Sequence, residues 1–165
     1  MLLFFILKGR KIKIKNMRVK NVMSKNVLFA HPETTYKEAA KLMYENNLSG
    51  LPVIDNKGNL VGIISEKDLF RAMYPNYEDF IANPEEYFNH EEQEQKILEI
   101  KNNPISMYMS KKVISISPET SLMAAGGIML AHHLHRLPVL EDGKIVGIVS
   151  REDIYKSILK HYLNL

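Results

Sequence analysis

Serine and aspartate occur twice at the same spacing, as Ser65 and Asp68 and again as Ser150 and Asp153. Each pair precedes a helical apolar pattern, which places the serine at the N-cap and the aspartate one turn inside the helix. A carboxylate has acceptor lone pairs only, so it can accept both hydroxyl protons of a ribose 2′,3′-diol. The start of a helix also offers free backbone N–H groups and a positive dipole end to phosphate oxygens. The two pairs could therefore hold nucleosides or nucleotides.

The same residues also have a structural explanation. Ser-x-x-Asp before an apolar helix is a capping box, which stabilises the helix by about 1 kcal/mol and needs no ligand. Lys67 and Arg151 lie beside the two motifs and could supply a countercharge to phosphate. One motif alone favours the structural explanation. Its duplication, with Leu-Pro-Val before each copy, favours ligand sites that also cap helices.

Residues 19–73 and 105–158 are two copies of one unit. A copy of about 55 residues is too small to bury a core alone, so the copies should pack on each other about a pseudo-twofold axis. The matching stretches include Pro-Glu-Thr at 32–34 and 118–120, and Leu-Pro-Val at 51–53 and 137–139.

Each copy is predicted to fold as strand–helix–strand–strand–helix, which gives an α/β (α+β) fold class. In the first copy, a strand at 27–30 leads to a helix at 35–47 that opens with a capping box. A hairpin over 51–64 then leads to a helix over 65–74.

The regions outside the repeat differ in charge. Residues 1–18 form a basic tail, and residues 75–104 form an acidic insertion that we expect to be ordered, with a helix over 91–100. Gly126 and Gly127 interrupt the first helix of the second copy at about 1 kcal/mol each relative to alanine. We expect close helix approach across the pseudo-twofold axis to offset that loss. Buriable side chains in the insertion are Tyr77, Phe80, Ile81, Tyr87 and Phe88.

Two motifs repeated in order resemble those of a known family. Leu-Pro-Val at 51–53 and Gly-x-x-Ser-x-x-Asp at 62–68, both present again in the second copy, are similar to those of the tandem CBS module, named after cystathionine beta-synthase. The resemblance implies two small three-stranded sheets and two clefts between the copies. It implies an adenosine-containing ligand such as AMP, ADP, ATP, S-adenosylmethionine or methylthioadenosine, and a homodimer that regulates an unknown effector protein.

By the same resemblance, adenine lies between the strand after Lys25 or Lys111 and the following Pro-Val pair. The run at 132–136 contains three histidines, but it aligns with a helix end, and no carboxylate or cysteine lies nearby to complete a metal site. Contact with phosphate is the preferred interpretation of its last two residues. The candidate ligand residues are Val27, Pro52, Val53, Ser65, Lys67 and Asp68 in the first copy, and Val113, His135, Arg136, Pro138, Val139, Ser150, Arg151 and Asp153 in the second.

Composition narrows the class of protein. The 165 residues are 45% hydrophobic and 25% charged, with net charge +3 and no cysteine, which fits a globular protein of the cytoplasm without disulfides. No Ser-His-Asp triad, His-Glu-x-x-His motif or phosphate-binding glycine loop is recognisable, so we expect no enzyme activity. The apolar start at 1–7 is too short to span a bilayer. Two alternatives stay open, namely a nucleic-acid-binding adaptor that uses the basic N-terminus and an interaction scaffold without ligand.

Overall fold

The computed structural model describes residues 17–74, 81–82, 84–85 and 90–163. Mixed helices and two antiparallel two-stranded sheets confirm the predicted α+β class. Short 3-10 turns begin the two copies at Val19–Asn21 and Ile105–Met107. The helices are α1 (Tyr36–Glu45), α2 (Glu66–Met73), α3 (His90–Ile100), α4 (Leu122–Ala131) and α5 (Arg151–Leu163), and the strands are β1 (Gly50–Ile54), β2 (Leu60–Ser65), β3 (Arg136–Glu141) and β4 (Lys144–Ser150).

The capping box predicted at the start of α1 is confirmed. The Thr35 hydroxyl accepts a hydrogen bond from the Glu38 N–H at 3.2 Å, and the Glu38 carboxylate accepts one from the Thr35 N–H at 2.9 Å. Tyr36, Ala39 and Met43 are buried along one face of the helix, which is the face expected from their spacing. Local sequence thus fixes where α1 begins and which side enters the core.

The first strand of each copy is shorter than predicted. Ala30 N donates to Pro52 O and Ile54 N donates to Ala30 O, both at 3.0 Å, which makes a single parallel bridge beside β1. The next ladder donors on either side would be Pro32 and Pro52, and proline has no N–H. The Nδ1 atom of His31 lies 3.1 Å from the Ile54 carbonyl oxygen instead. The second copy has the same bridge and the same two prolines, so each sheet has two strands and a bridge rather than three strands.

The opening segment of each copy packs on the other copy. Val19 is fully buried in the core of the second copy, and Ile105 is fully buried in the core of the first. We call residues 17–24 and 105–110 the crossing segments. Sequence repeats and folded halves therefore differ, because each half completes its core with a segment borrowed from the other repeat.

Each crossing segment ends on the outer edge of a hairpin. Ser24 pairs with Ile148, and Ser110 pairs with Ile63, in each case through two backbone hydrogen bonds of 2.9 Å. These contacts are related by the repeat offset. The mirrored pairing supports the predicted pseudo-twofold arrangement of the two halves.

The packing of the crossing segments explains why the Gly-x-x-Ser-x-x-Asp motif begins with glycine. A Cβ atom at Gly147 would lie 2.6 Å from the Met23 sulfur, and one at Gly62 would lie 2.7 Å from the Met109 sulfur. Both glycines are buried. Only a residue without a side chain lets the crossing segment lie this close to the hairpin.

Glycine in α4 has a different role from the one predicted. A Cβ atom at Gly126 would lie 3.8 Å from Ile154 of the same copy, and one at Gly127 would meet no atom of the described residues within 4 Å. Close approach across the pseudo-twofold axis is therefore wrong for both glycines. Gly126 instead faces α5, because α4 and α5 pack together within the second half.

The helix predicted within the acidic insertion is present as α3. Its last residue, Ile100, is buried in the core of the first half, whereas Ile81 is 63% exposed. None of the helices in the described ranges has the length and apolar character that a bilayer crossing requires. The other predicted buriable residues of the insertion, Tyr77, Phe80, Tyr87 and Phe88, lie outside the described residues.

Candidate functional site

Both Ser-x-x-Asp motifs cap helices, as the structural explanation requires. The Oδ2 atom of Asp68 accepts from the Ser65 N–H at 2.9 Å and from the Ser65 hydroxyl at 2.5 Å. In the second copy, Oδ2 of Asp153 accepts from the Ser150 N–H at 2.8 Å and from its hydroxyl at 2.7 Å. The two helix starts are thus built alike, with the serine and aspartate locked together.

The second carboxylate oxygen of each motif is available to accept further hydrogen bonds. Within the described part of the chain, Oδ1 of Asp68 and Oδ1 of Asp153 have no hydrogen-bond partner, and both side chains are half-buried. A carboxylate oxygen can accept two hydrogen bonds. The capping geometry and a hydroxyl-binding role are therefore compatible, because they use different oxygens.

A cleft lies beside Ser150 and Arg151 of the second motif, and we call it the Asp153 cleft after that motif. Its volume is about 220 Å³. Arg151 is held in the lining of this cleft, because its Nε donates to the Leu134 carbonyl at 2.6 Å and its backbone N–H donates to the His135 carbonyl at 2.9 Å. The cleft is lined by Ser49, His135, Arg136, Ser150, Arg151 and Glu152.

The sequence did not identify two of these lining residues, Glu152 and Ser49. Ser49 is the one that shows how the cleft is assembled. It belongs to the first copy, yet the Nη1 atom of Arg136 donates to its hydroxyl at 2.6 Å. The cleft is consequently built from both halves. The repeat alignment carried a signal for this, because Ser49 aligns with His135, which was singled out.

Charge differs between the two motifs. The positions of Arg151 and Arg136 are taken in the first copy by Glu66 and Gly50, and Glu66 and Lys67 are exposed. In the second cleft, hydrogen bonding to Lys156, with a smaller contribution from nearby Arg136, lowers the pKa of Glu152. Because Glu152 stays anionic but paired with Lys156 at 2.6 Å, the guanidinium groups dominate the charge that this cleft offers a ligand.

Most of the residues predicted to contact adenine are buried. Val53 and Val139 are both 0% exposed and belong to the two cores. Pro52 and Pro138 are buried as well, and their carbonyl groups already accept hydrogen bonds from Ala30 and Ile116. Contact between adenine and the half-buried Val27 and Val113 stays a prediction.

The histidine run is exposed, and two basic residues at the start of the first copy are engaged by the second copy. His132, His133 and His135 are exposed, and the described ranges contain no group of three or more acidic or histidine side chains placed to hold a metal ion. Arg18 and Lys20 both contact Glu119, the lysine at 2.6 Å. The remaining basic residues of the tail fall within 1–16, outside the described residues.

Comparison with known proteins decides the family. The model of the CBS domain matches residues 19–75 and 105–160, which are the two repeats. The chain belongs to the CBS domain family. A curated relative is the 17.7 kDa protein in the bps2 3′ region of Acidianus ambivalens, 33% identical over 129 residues that span 78% of this chain and 65% of that protein.

Solved structures of CBS domain pairs have the same fold. CBSX2 of Arabidopsis thaliana in complex with AMP is 27% identical, with a TM-score of 0.68 over 88% of this chain and 98% of that chain. The CBS domain pair of protein MJ0100, in complex with 5′-methylthioadenosine and S-adenosyl-L-methionine, is 26% identical, with a TM-score of 0.65 over 87% of this chain and 96% of that chain.

Proposed function

We propose that this CBS domain pair is a non-catalytic regulatory module of the cytoplasm that binds an adenosine-containing ligand between its halves. The observation that carries this proposal is a cleft lined by Ser150, Arg136 and Arg151. It lies at the start of the helix that carries Asp153, whose Oδ1 atom has no hydrogen-bond partner among the described residues. The AMP, methylthioadenosine and S-adenosylmethionine complexes of similar CBS pairs support the same ligand class. AMP, ATP and S-adenosylmethionine are the candidate ligands.

The chemistry of binding follows from the positions of the polar groups. Oδ1 of Asp153 accepts the ribose hydroxyl protons, while Oδ2 continues to cap α5. Arg136 and Arg151 face the same cleft and bind phosphate through charge-assisted hydrogen bonds, which are roughly twice as strong as neutral ones. His135 lines the same cleft and can add a third donor.

The two clefts are proposed to prefer different ligands. Arginine beside Asp153 favours a phosphorylated ligand, whereas Glu66 beside Asp68 repels phosphate and leaves Lys67 as the neighbouring cation. AMP should therefore bind the Asp153 cleft, and methylthioadenosine should be tolerated by the equivalent cleft expected beside Asp68. Titration of both ligands into Asp68→Asn and Asp153→Asn tests this. Loss of AMP binding in Asp68→Asn but not in Asp153→Asn would reverse the assignment.

Regulation requires that the ligand change the arrangement of the halves or of two chains. The Asp153 cleft has walls from both copies, because Ser49 and Arg136 meet across it. A ligand that prefers one arrangement of these walls shifts the population toward it. We propose that a homodimer presents this change to an effector protein.

A thermal-shift screen tests the proposed function. The probes are AMP, ATP, S-adenosylmethionine and methylthioadenosine, with GMP and guanosine as matched controls that keep the ribose and change the base. A ligand at 100 times its dissociation constant stabilises the fold by about 2.7 kcal/mol. A rise in melting temperature with adenosine compounds and none with guanosine compounds is expected. No rise with any of them would favour a scaffold without ligand.

A further inference from the structure

Arg136 and Ser49 make a contact that has no counterpart on the other side of the pseudo-twofold axis. The Nη1 atom of Arg136 donates to the Ser49 hydroxyl at 2.6 Å and so joins the two halves at the edge of the Asp153 cleft. In the repeat alignment the matching residues are Gly50 and His135. Glycine has no side chain to donate, so this contact exists once.

Ser49 is also joined to the other motif. Its carbonyl oxygen accepts a hydrogen bond from the Glu66 N–H at 3.1 Å, and Glu66 is the first residue of α2, the helix that carries Asp68. A movement of Ser49 therefore reaches the helix start of the first motif. Separately, the Nζ atom of Lys144 donates to Lys57 and to Asn59, which holds the two hairpin turns together. The halves keep that attachment if the Arg136 contact breaks.

We propose that the Arg136–Ser49 hydrogen bond is a latch that an anionic ligand in the Asp153 cleft opens and an uncharged ligand leaves closed. This inference rests on the proposed function and adds how the ligand is sensed. A guanidinium binds phosphate more strongly than it binds a neutral hydroxyl, because the phosphate bond is charge-assisted and can be bidentate. Arg136 thus leaves Ser49 for the phosphate of AMP and stays on Ser49 when adenosine binds.

The latch predicts the direction in which a substitution at Ser49 changes the affinity for AMP. In wild type, AMP must break the hydrogen bond to Ser49, and this loss is subtracted from its binding free energy. Ser49→Ala removes that loss and strengthens AMP binding about fivefold, the factor that corresponds to a net hydrogen bond of about 1 kcal/mol. Adenosine affinity stays unchanged. If Ser49 were simply a ligand contact, the same substitution would weaken AMP binding.

Calorimetry in an Asp68→Asn background, which confines binding to the Asp153 cleft, tests the latch. AMP and adenosine are titrated into that variant and into the same variant carrying Ser49→Ala or Ser49→Thr. Ser24→Ala is the matched control, because the Ser24 backbone joins the halves but its hydroxyl makes no hydrogen bond within the described residues. Tighter AMP binding in Ser49→Ala alone, with wild-type affinity in Ser49→Thr and Ser24→Ala, is expected. Equal or weaker AMP binding in Ser49→Ala overturns the latch.

Amide NMR gives a second test, which does not depend on the measured affinities. In the Asp68→Asn background, saturating AMP should shift the Glu66 amide resonance, saturating adenosine should not, and Ser49→Ala should abolish the difference. A Glu66 shift of equal size with both ligands overturns the latch and leaves the proposed function intact. Absence of any adenosine-ligand binding in wild type overturns both.

Discussion

Gly147→Ala probes the close contact between the hairpin of the second half and the crossing segment 17–24. The added Cβ atom would lie 2.6 Å from the Met23 sulfur and 3.0 Å from the Ser24 carbonyl oxygen. The flexible methionine can move its sulfur away. The Ser24 oxygen cannot move without stretching the 2.9 Å hydrogen bond that it accepts from the Ile148 N–H.

The size of the effect follows from these distances. Overpacking of a tight interior by a methyl group costs typically about 1–3 kcal/mol, and for a chain of this length about 2 kcal/mol lowers the melting temperature by roughly 4–8 °C. Gly127→Ala is the matched control, because its Cβ atom meets no described atom within 4 Å. Replacing that helical glycine should instead raise the stability by up to about 1 kcal/mol.

Differential scanning calorimetry measures both expected changes, the loss of stability in Gly147→Ala and the gain in Gly127→Ala. Met23→Ala in the Gly147→Ala background should recover part of the lost stability, because it removes the atom nearest the new methyl group. A Gly147→Ala variant as stable as wild type, or one whose loss is independent of Met23, would refute the packing of residues 17–24 on the second half.

Two further predictions concern folding and pH. Fragments 17–74 and 105–165 should each lack cooperative thermal unfolding by circular dichroism, because each crossing segment packs on the absent half; a cooperative transition in either monomeric fragment would contradict this, although the mixture should reassociate. Asp55→Asn should destabilise the fold to its full extent above about pH 4, because hydrogen bonds, chiefly from the Asn59 backbone, lower the pKa of Asp55 in the folded state. That stabilisation is lost as the pH falls through the lowered pKa, so urea titrations of the two proteins should converge in acid and differ at pH 7.

Local features of the fold were predictable from sequence. The capping boxes at 35–38, 65–68 and 150–153 form as predicted, because each needs only residues three positions apart. The hairpins follow from apolar runs around short turns. The shortened first strands were also within reach, since the prolines that interrupt the ladder stand in the sequence.

Contacts between the repeats were not predictable from one chain. The exchange of crossing segments depends on packing between residues about a hundred positions apart, such as Val19 with Thr120. The burial of Val53 and Val139 reflects which face of the hairpin meets the core, and a buried strand without alternation does not reveal its face. Ser49 was missed for a related reason, because its partner Arg136 comes from the other repeat.

The ribose assignment is the central claim, and AMP calorimetry on the Asp68→Asn, Asp153→Asn double variant tests it most directly. Asparagine keeps one carbonyl oxygen to cap each helix but replaces the free carboxylate oxygen with a donor. Loss of two hydrogen bonds to a carboxylate, about 1.5 kcal/mol each, should weaken AMP binding roughly 100-fold. Asp55→Asn, which changes an aspartate of the first hairpin turn, is the control and should bind like wild type. Wild-type AMP affinity in a folded double variant would contradict the claim.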